Sequence, residues 1–193
     1  MLKLKRFYFK EKYPWEYEFG PVELSNGLNL LIGKSGTGKT KFLNIITNIS
    51  NKLGRGLIPG VTVQGNIFEL NIQFEDENNK NIIYNIIGEF GEQTDTEIVL
   101  KQSSKNIKIS EELIINDVKY IERENTKINL LIEKKEVLIT LNSFIIVHEI
   151  PFAEQETIIK IRTFFGGLMR LNEFFGFNQI RFVVTQKSPM VVS

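Results

Sequence analysis

Cysteine is missing from the 193-residue sequence, and histidine and tryptophan occur once each. With no cysteine there is no disulfide framework, no thiolate nucleophile and no cysteine-bound zinc, and the composition suits a reducing compartment. Charge of one sign is missing too: 24 basic and 23 acidic residues leave a net +1. No global field therefore recruits nucleic acid or an anionic membrane. Apolar runs never exceed a few residues, far short of the roughly 20 that a membrane-spanning helix needs. The opening stretch MLKLKRFYFKEKY puts charges where a signal peptide requires its apolar segment. We expect a soluble, cytoplasmic protein with no membrane span.

What is present is ordinary globular composition, 42% hydrophobic and 24% charged, enough chain for one domain with a substantial core over 1–193. Lys3, Lys5, Arg6, Lys10 and Lys12 crowd the start, interleaved with Phe7, Tyr8 and Phe9. A strand with a solvated basic face accounts for this, and a nucleic-acid patch is the rival reading.

Residues 2–9 and 16–24 read as two strands joined by a turn at Tyr13-Pro14-Trp15. Leu28 to Ile32 is a short apolar run before a glycine-rich loop. From Lys39 to Ile49, Phe42, Ile45, Ile46 and Ile49 recur at helical spacing, and the glycines of NKLGRGLIPG end that helix. Between 61 and 140 the character changes. VTVQGNIFELNIQFED, NIIYNIIGEF, TEIVLKQ, NIKISEELII, VKYIERE, TKINLLIEK and EVLITL are short, rich in Ile and Val, and separated by Asn, Asp, Lys and Gly. This predicts a run of antiparallel hairpins. A second helix is expected over about 153–175, with Ile158, Ile161, Phe165, Leu168, Leu171 and Phe175 as its apolar stripe. Gly166-Gly167 inside it should cost about 1 kcal/mol per glycine, which a kink or close backbone approach would offset. QIRFVVT, 179–185, reads as a closing strand.

The strongest motif is Gly33-Lys34-Ser35-Gly36-Thr37-Gly38-Lys39-Thr40, which fits G-x-x-x-x-G-K-[ST] between an apolar run and an amphipathic helix. Glycines let the backbone wrap phosphates and aim N–H groups inward, and a helix N-terminus adds favourable partial charge. Lys39 would reach the β- and γ-phosphates, Thr40 would ligate Mg²⁺, and Lys41 would follow on the helix. A nucleoside triphosphate is the expected ligand. ATP is preferred to GTP, since no N-K-x-D-type guanine-reading sequence occurs.

Such a site needs a carboxylate at the end of a neighbouring buried strand. ELIIND ending at Asp117, NLLIE ending at Glu133 and FIIVHE ending at Glu149 qualify. The first two lie among the hairpins. The third is the most apolar and precedes a helix and a strand, as a parallel core requires. We expect Glu149 to assist Thr40 with the metal, a plain strand-end glutamate being the alternative. His148 is either an active-site group or a satisfied core histidine.

With these residues in view, the chain resembles the ATP-binding heads of the ABC-type ATPase superfamily, especially SMC/RecF-like and OLD-like members. LKLKRFYFKEKYPWEYEFGPVELSNGLNLLIGKSGTGKT is similar to their opening strands and phosphate loop. FIIVHEIP falls where they carry a strand ending D-E-P, and QIRFVVTQKSP where they carry one ending T-H-S-P. The resemblance implies an α/β P-loop NTPase: a mixed sheet core with an antiparallel β lobe inserted over 61–140. It also implies Mg-ATP hydrolysis, with Glu149 as the glutamate that polarises the attacking water, and a homodimer or a partner ATPase subunit, in a DNA-maintenance or defence assembly. By the same resemblance Tyr13 or Trp15 would stack on adenine and Thr185 or Gln186 would sense the γ-phosphate, with simple packing the alternative for each. Three departures stand out. His148 replaces the family's Asp, no L-S-G-G-type signature or helical signature lobe is present, and Gln186-Lys187 replaces the switch histidine. Hydrolysis is therefore expected to be weak or partner-dependent, with a non-hydrolysing ATP switch or scaffold as the alternative.

Overall fold

The computed structural model of the chain describes residues 2–12, 16–25, 44–47, 49–50, 53, 67–90, 107–139 and 144–175. The predicted strands at 2–9 and 16–24 form β1 (Lys3–Glu11) and β2 (Tyr17–Glu23). The Ile-rich region supplies β3 (Ile67–Glu75), β4 (Asn81–Phe90), β5 (Ile107–Ile115), β6 (Val118–Glu124), β7 (Lys127–Leu130) and β8 (Lys135–Leu138). They join in one eight-stranded sheet of order β2-β1-β3-β4-β5-β6-β7-β8. Every neighbouring pair is antiparallel.

The turns explain why strands this short stay in register. Asn116 and Asp117 link β5 to β6 with φ of 48° and 64°. A two-residue turn with both residues left-handed matches strand twist, and Asn and Asp tolerate it best among residues with a side chain. Asn125, at φ 56°, turns β6 into β7, and its side-chain oxygen accepts the Ile109 N–H at 3.1 Å. Between β3 and β4, buried Asp76 accepts the N–H groups of Asn78 and Lys80 at 2.8 and 3.0 Å. Burial would push that carboxyl up. The two backbone donors and Lys160 outweigh this and hold it below its ordinary value.

Alternation sends Phe7, Phe9, Leu70, Ile72, Phe74, Ile82, Tyr84, Ile86, Ile109, Leu113, Ile121 and Ile128 to one buried face. Helical residues Ile45, Ile49 and Leu53 share that core, as do Phe144, Ile145 and Ile146. The long helix, Gln155–Phe175, covers part of the same face with Ile158, Ile161 and Phe165. Phe164 and Phe165 meet Phe74 edge-on, with centroids 5.1 and 6.1 Å apart. Outside this packing, Lys160 bridges Glu77 at 2.9 Å and Glu156 at 3.1 Å, tying the β3–β4 turn to the helix.

The expected α/β P-loop architecture, with a parallel or mixed sheet core, is not what the chain forms. The described sheet is wholly antiparallel, and β1 and β2 belong to it together with the 67–138 strands rather than to a separate core. The physical reason is local. Each connection from β3 onward whose residues are described is a short turn, and short turns join antiparallel neighbours, whereas parallel strands need long crossovers. FIIVHE is likewise no strand. Ile145–Val147 is a single 3-10 turn, entered from extended Phe144 and left through extended His148. Its apolarity reflects burial of Phe144, Ile145 and Ile146 in the core, not ladder pairing. At Gly166 and Gly167 a Cβ would meet nothing within 4 Å, so no close approach explains them. No helix among the described residues is long and apolar enough to cross a membrane.

Candidate functional site

The phosphate-loop candidates Gly33, Lys34, Ser35, Gly36, Thr37, Gly38, Lys39, Thr40 and Lys41 lie outside the described residues, as do Tyr13, Trp15, Thr185 and Gln186. Helical residues follow the motif closely, from 44 onward, with Ile45, Ile49 and Leu53 buried. Of the three carboxylates considered as partners, Asp117 sits exposed in the β5–β6 turn. Glu133, exposed in the β7–β8 turn, accepts the backbone N–H of Ala153 at 2.7 Å. Glu149 is exposed, two residues beyond the 3-10 turn.

The polar centre of the molecule was not anticipated. Glu111 of β5 stands at an inward position, directly opposite Arg123 of β6, and both side chains are fully buried. Tyr84 of β4 lies diagonal to Glu111, since its own partner on β5 is Leu113. Diagonal neighbours are within reach of long and aromatic side chains. The Tyr84 hydroxyl donates to Glu111 Oε2 and the Arg123 guanidinium to Glu111 Oε1. Arg123 also donates through Nε to the Asn125 carbonyl, so the β6–β7 turn fixes the guanidinium from its far side.

Glu111 has one more donor, and it connects the triad to the segment singled out in the sequence. The Ile145 N–H donates to both carboxylate oxygens, at 3.2 and 3.1 Å, across 34 residues of sequence. The carboxylate thus caps the entry of the 3-10 turn, whose first N–H groups have no partner within the turn. The His148 N–H then returns to the Ile145 carbonyl at 3.0 Å and closes the turn. Further along, Glu133 holds the Ala153 N–H and Lys80 reaches Glu154 at 2.9 Å. Three polar anchors on the sheet therefore seat residues 144–154.

Electrostatics follow from burial. Desolvation pushes the Glu111 carboxyl above its ordinary value, against the pull of Arg123, Tyr84 and the Ile145 N–H. The Tyr84 hydroxyl is raised well above its ordinary value by burial and by Glu111, which keeps it a donor. His148, half-buried, is lowered by desolvation and then by Arg123. Its imidazole is neutral at neutral pH, where it neither repels a cation by charge nor offers the oxygen that Mg²⁺ prefers. Among the described residues no three His, Asp or Glu side chains are grouped to hold a metal ion.

The basic residues of β1 face acids. Lys3 and Lys5 lie 3.7 and 3.5 Å from Glu75, Arg6 lies 3.3 Å from Glu23, and Lys10 lies 3.5 Å from Glu18. This charge-compensated strand face fits the solvated-strand reading and gives phosphate backbones little to attract.

The inward pair did leave a trace in the sequence. Ile109, Glu111, Leu113 and Ile115 alternate, as do Ile121 and Arg123, so an acid and a base occupy interior positions on strands joined by Asn116-Asp117. Comparison with protein families, with curated proteins and with solved structures finds no match to this chain. The resemblance to ABC-type heads therefore rests on the quoted sequence segments.

Proposed function

We propose that this chain binds a nucleoside triphosphate, ATP in preference to GTP, through Gly33–Thr40. One observation carries the reading: GKSGTGKT precedes, in sequence, residues that are helical from 44 onward, the order of a phosphate-cradling loop and its helix. Lys39 meets the terminal phosphates, and Thr40 supplies a hydroxyl oxygen to Mg²⁺, with the glycines, Lys34, Ser35, Thr37 and Lys41 shaping the loop. The cysteine-free composition supports a cytoplasmic setting. A homodimer or partner ATPase subunit completes the site in this reading.

For turnover, Glu149 is the carboxylate that would orient water, giving weak or partner-dependent hydrolysis. A second reading, a non-hydrolysing ATP-dependent switch, draws support from a specific observation. Glu149 follows a 3-10 turn and is exposed, without the buried strand end that fixes such a base.

Calorimetric titration with Mg-ATP tests the shared premise. Wild type should bind, and Lys39→Ala should weaken binding at least about tenfold, the scale of losing a charge-assisted phosphate contact. Equal affinities would overturn the proposal. Steady-state turnover then separates the two readings. Glu149→Gln should abolish any wild-type rate while leaving affinity intact, and a wild type that never turns over favours the switch.

A further inference from the structure

The β5–β6 hairpin carries two registers at once. Next to the Asn116-Asp117 turn, Ile115 pairs with Val118 and Ile114 with Lys119. Beyond it, Leu113 pairs with Ile121, Glu112 with Glu122 and Glu111 with Arg123. Tyr120 is the extra residue with which β6 passes from the first register to the second, a β-bulge. Without it, the turn's register would run on and set Tyr120 opposite Leu113 and Glu122 opposite Glu111. Directly opposed residues share a face, so Glu122 would turn into the core, and Ile121 and Arg123 out of it. A two-residue turn with both residues left-handed, as Asn116 and Asp117 are, ordinarily dictates the pairing that follows it. In this hairpin the strand bodies overrule the turn.

Burial of Ile121 favours the bulged pairing, but burial is blind to a slip of two residues, which returns every side chain to its own face. The inward positions around the charged pair are aliphatic: Ile109, Leu113 and Ile115 on β5, and Ile121 on β6. A slip of two in one direction would set Glu111 opposite Ile121 and Arg123 opposite Ile109. In the other direction Glu111 would meet Asn125, and Arg123 would meet Leu113. In each case, as in the bulge-free pairing, a fully buried carboxylate loses the cation opposite it. An unpaired buried charge is among the costliest things a core can hold. Arg123 adds a second check, because its Nε donates to the Asn125 carbonyl while another guanidinium nitrogen holds Glu111. We propose that the Glu111–Arg123 pair is a register lock: two charges persist in an otherwise aliphatic pair of strands because only one alignment joins them. The pair contributes uniqueness to the sheet rather than net stability, as a single buried polar residue does when it fixes the register of paired helices.

Nuclear magnetic resonance of the full chain carrying Glu111→Leu with Arg123→Met, read beside urea unfolding, tests the lock. The unfolding midpoint should stay near wild type, while the β6 amides split into more than one set and slipped pairings hold about a tenth of the population. Cross-strand contacts identify them. Wild type should show Leu113 against Ile121 alone, and the double variant should add Leu113 against Tyr120 or against position 123. Arg123→Lys keeps a cation opposite Glu111 and should show one set, as wild type does. A single set with wild-type contacts in the double variant overturns the lock, because burial and the turn then suffice. Several sets in Arg123→Lys overturn it too, since pairing of charge would not be what selects the register. A double variant that fails to fold also overturns it, because the pair would then be holding the fold together rather than choosing its alignment.

Discussion

Glu111 and Glu112 are neighbours in β5 and live in opposite worlds. The first points to the covered face, fully buried against Arg123. The second points to the open face, where it accepts from Lys119 at 2.6 Å and from Asn85 at 3.2 Å. Burial raises Glu111 above the ordinary carboxylate value, whereas the Lys119 hydrogen bond lowers Glu112 below it. Both are ion-paired, so pairing is not what separates them. Solvent is. A pleat that alternates sides turns one step along the chain into a change of dielectric, and the same chemical group then answers to desolvation on one face and to its partner on the other.

The sharpest way to break this contrast is to remove each glutamate's cation. Arg123→Met leaves a carboxylate buried without its charge partner, and we expect a loss of about 3–5 kcal/mol in urea unfolding. The double change Glu111→Leu with Arg123→Met should recover most of that loss, since apolar replacement of a buried pair is often close to neutral. If Arg123→Met costs less than about 1 kcal/mol, the covered face is wetter than the packing implies and the contrast collapses.

Acidity offers the next test, because the two groups should contribute to stability with opposite signs. Glu112 has a depressed folded value, so its contribution is present above the unfolded value and is lost as pH falls through the folded one. Glu111 has a raised folded value, so its contribution is fully present below the unfolded value and fades as pH rises through the folded one. Carboxyl carbon resonances followed through the acid range should place the Glu111 midpoint above the ordinary 4.5 and the Glu112 midpoint below it. Midpoints in the reverse order would overturn the assignment of faces.

How far the sequence discloses this depends on which physical signal each region carries. The hairpins of β3 to β8 were legible because alternation and turn chemistry agree there: Ile121 and Arg123 inward, Glu122 outward, Asn116-Asp117 at the turn. FIIVHE misled because a four-residue apolar run has no period, and burial in a turn produces the same string as burial in a strand. The wider α/β architecture failed with it, since FIIVHE was to supply the parallel strand. Within the site, the inward glutamate was visible in the alternation of β5, but its role depends on Ile145, 34 residues away. No local pattern announces a backbone N–H that arrives from such a distance. Gly88 is a smaller case of the same kind. The Phe68 ring of β3 lies over it, with a ring carbon 2.1 Å from where a Cβ would stand, so a side chain there would displace the ring, and only the cross-strand register reveals that.

The smallest effect, and the one that completes the contrast, belongs to Lys119. Its ammonium lies 2.6 Å from Glu112 and 3.1 Å from Glu122, with both carboxylates and the lysine about a third exposed. Water already solvates these charges, so the Coulomb gain is small, and holding a long lysine in place costs side-chain entropy. Lys119→Met should therefore lower unfolding stability by no more than about 1 kcal/mol, and high salt should shrink the difference further. Removing the amine also leaves Glu112 and Glu122 facing each other uncompensated, so the Glu112 midpoint should climb toward its ordinary value while the Glu111 midpoint stays put. That independence is the point of the measurement. The two carboxylates are one residue apart, yet the sheet between them should insulate one titration from the other. If Glu111 moves in step with Glu112 when Lys119 is removed, the two faces share an electrostatic environment and position in the pleat does not decide the chemistry.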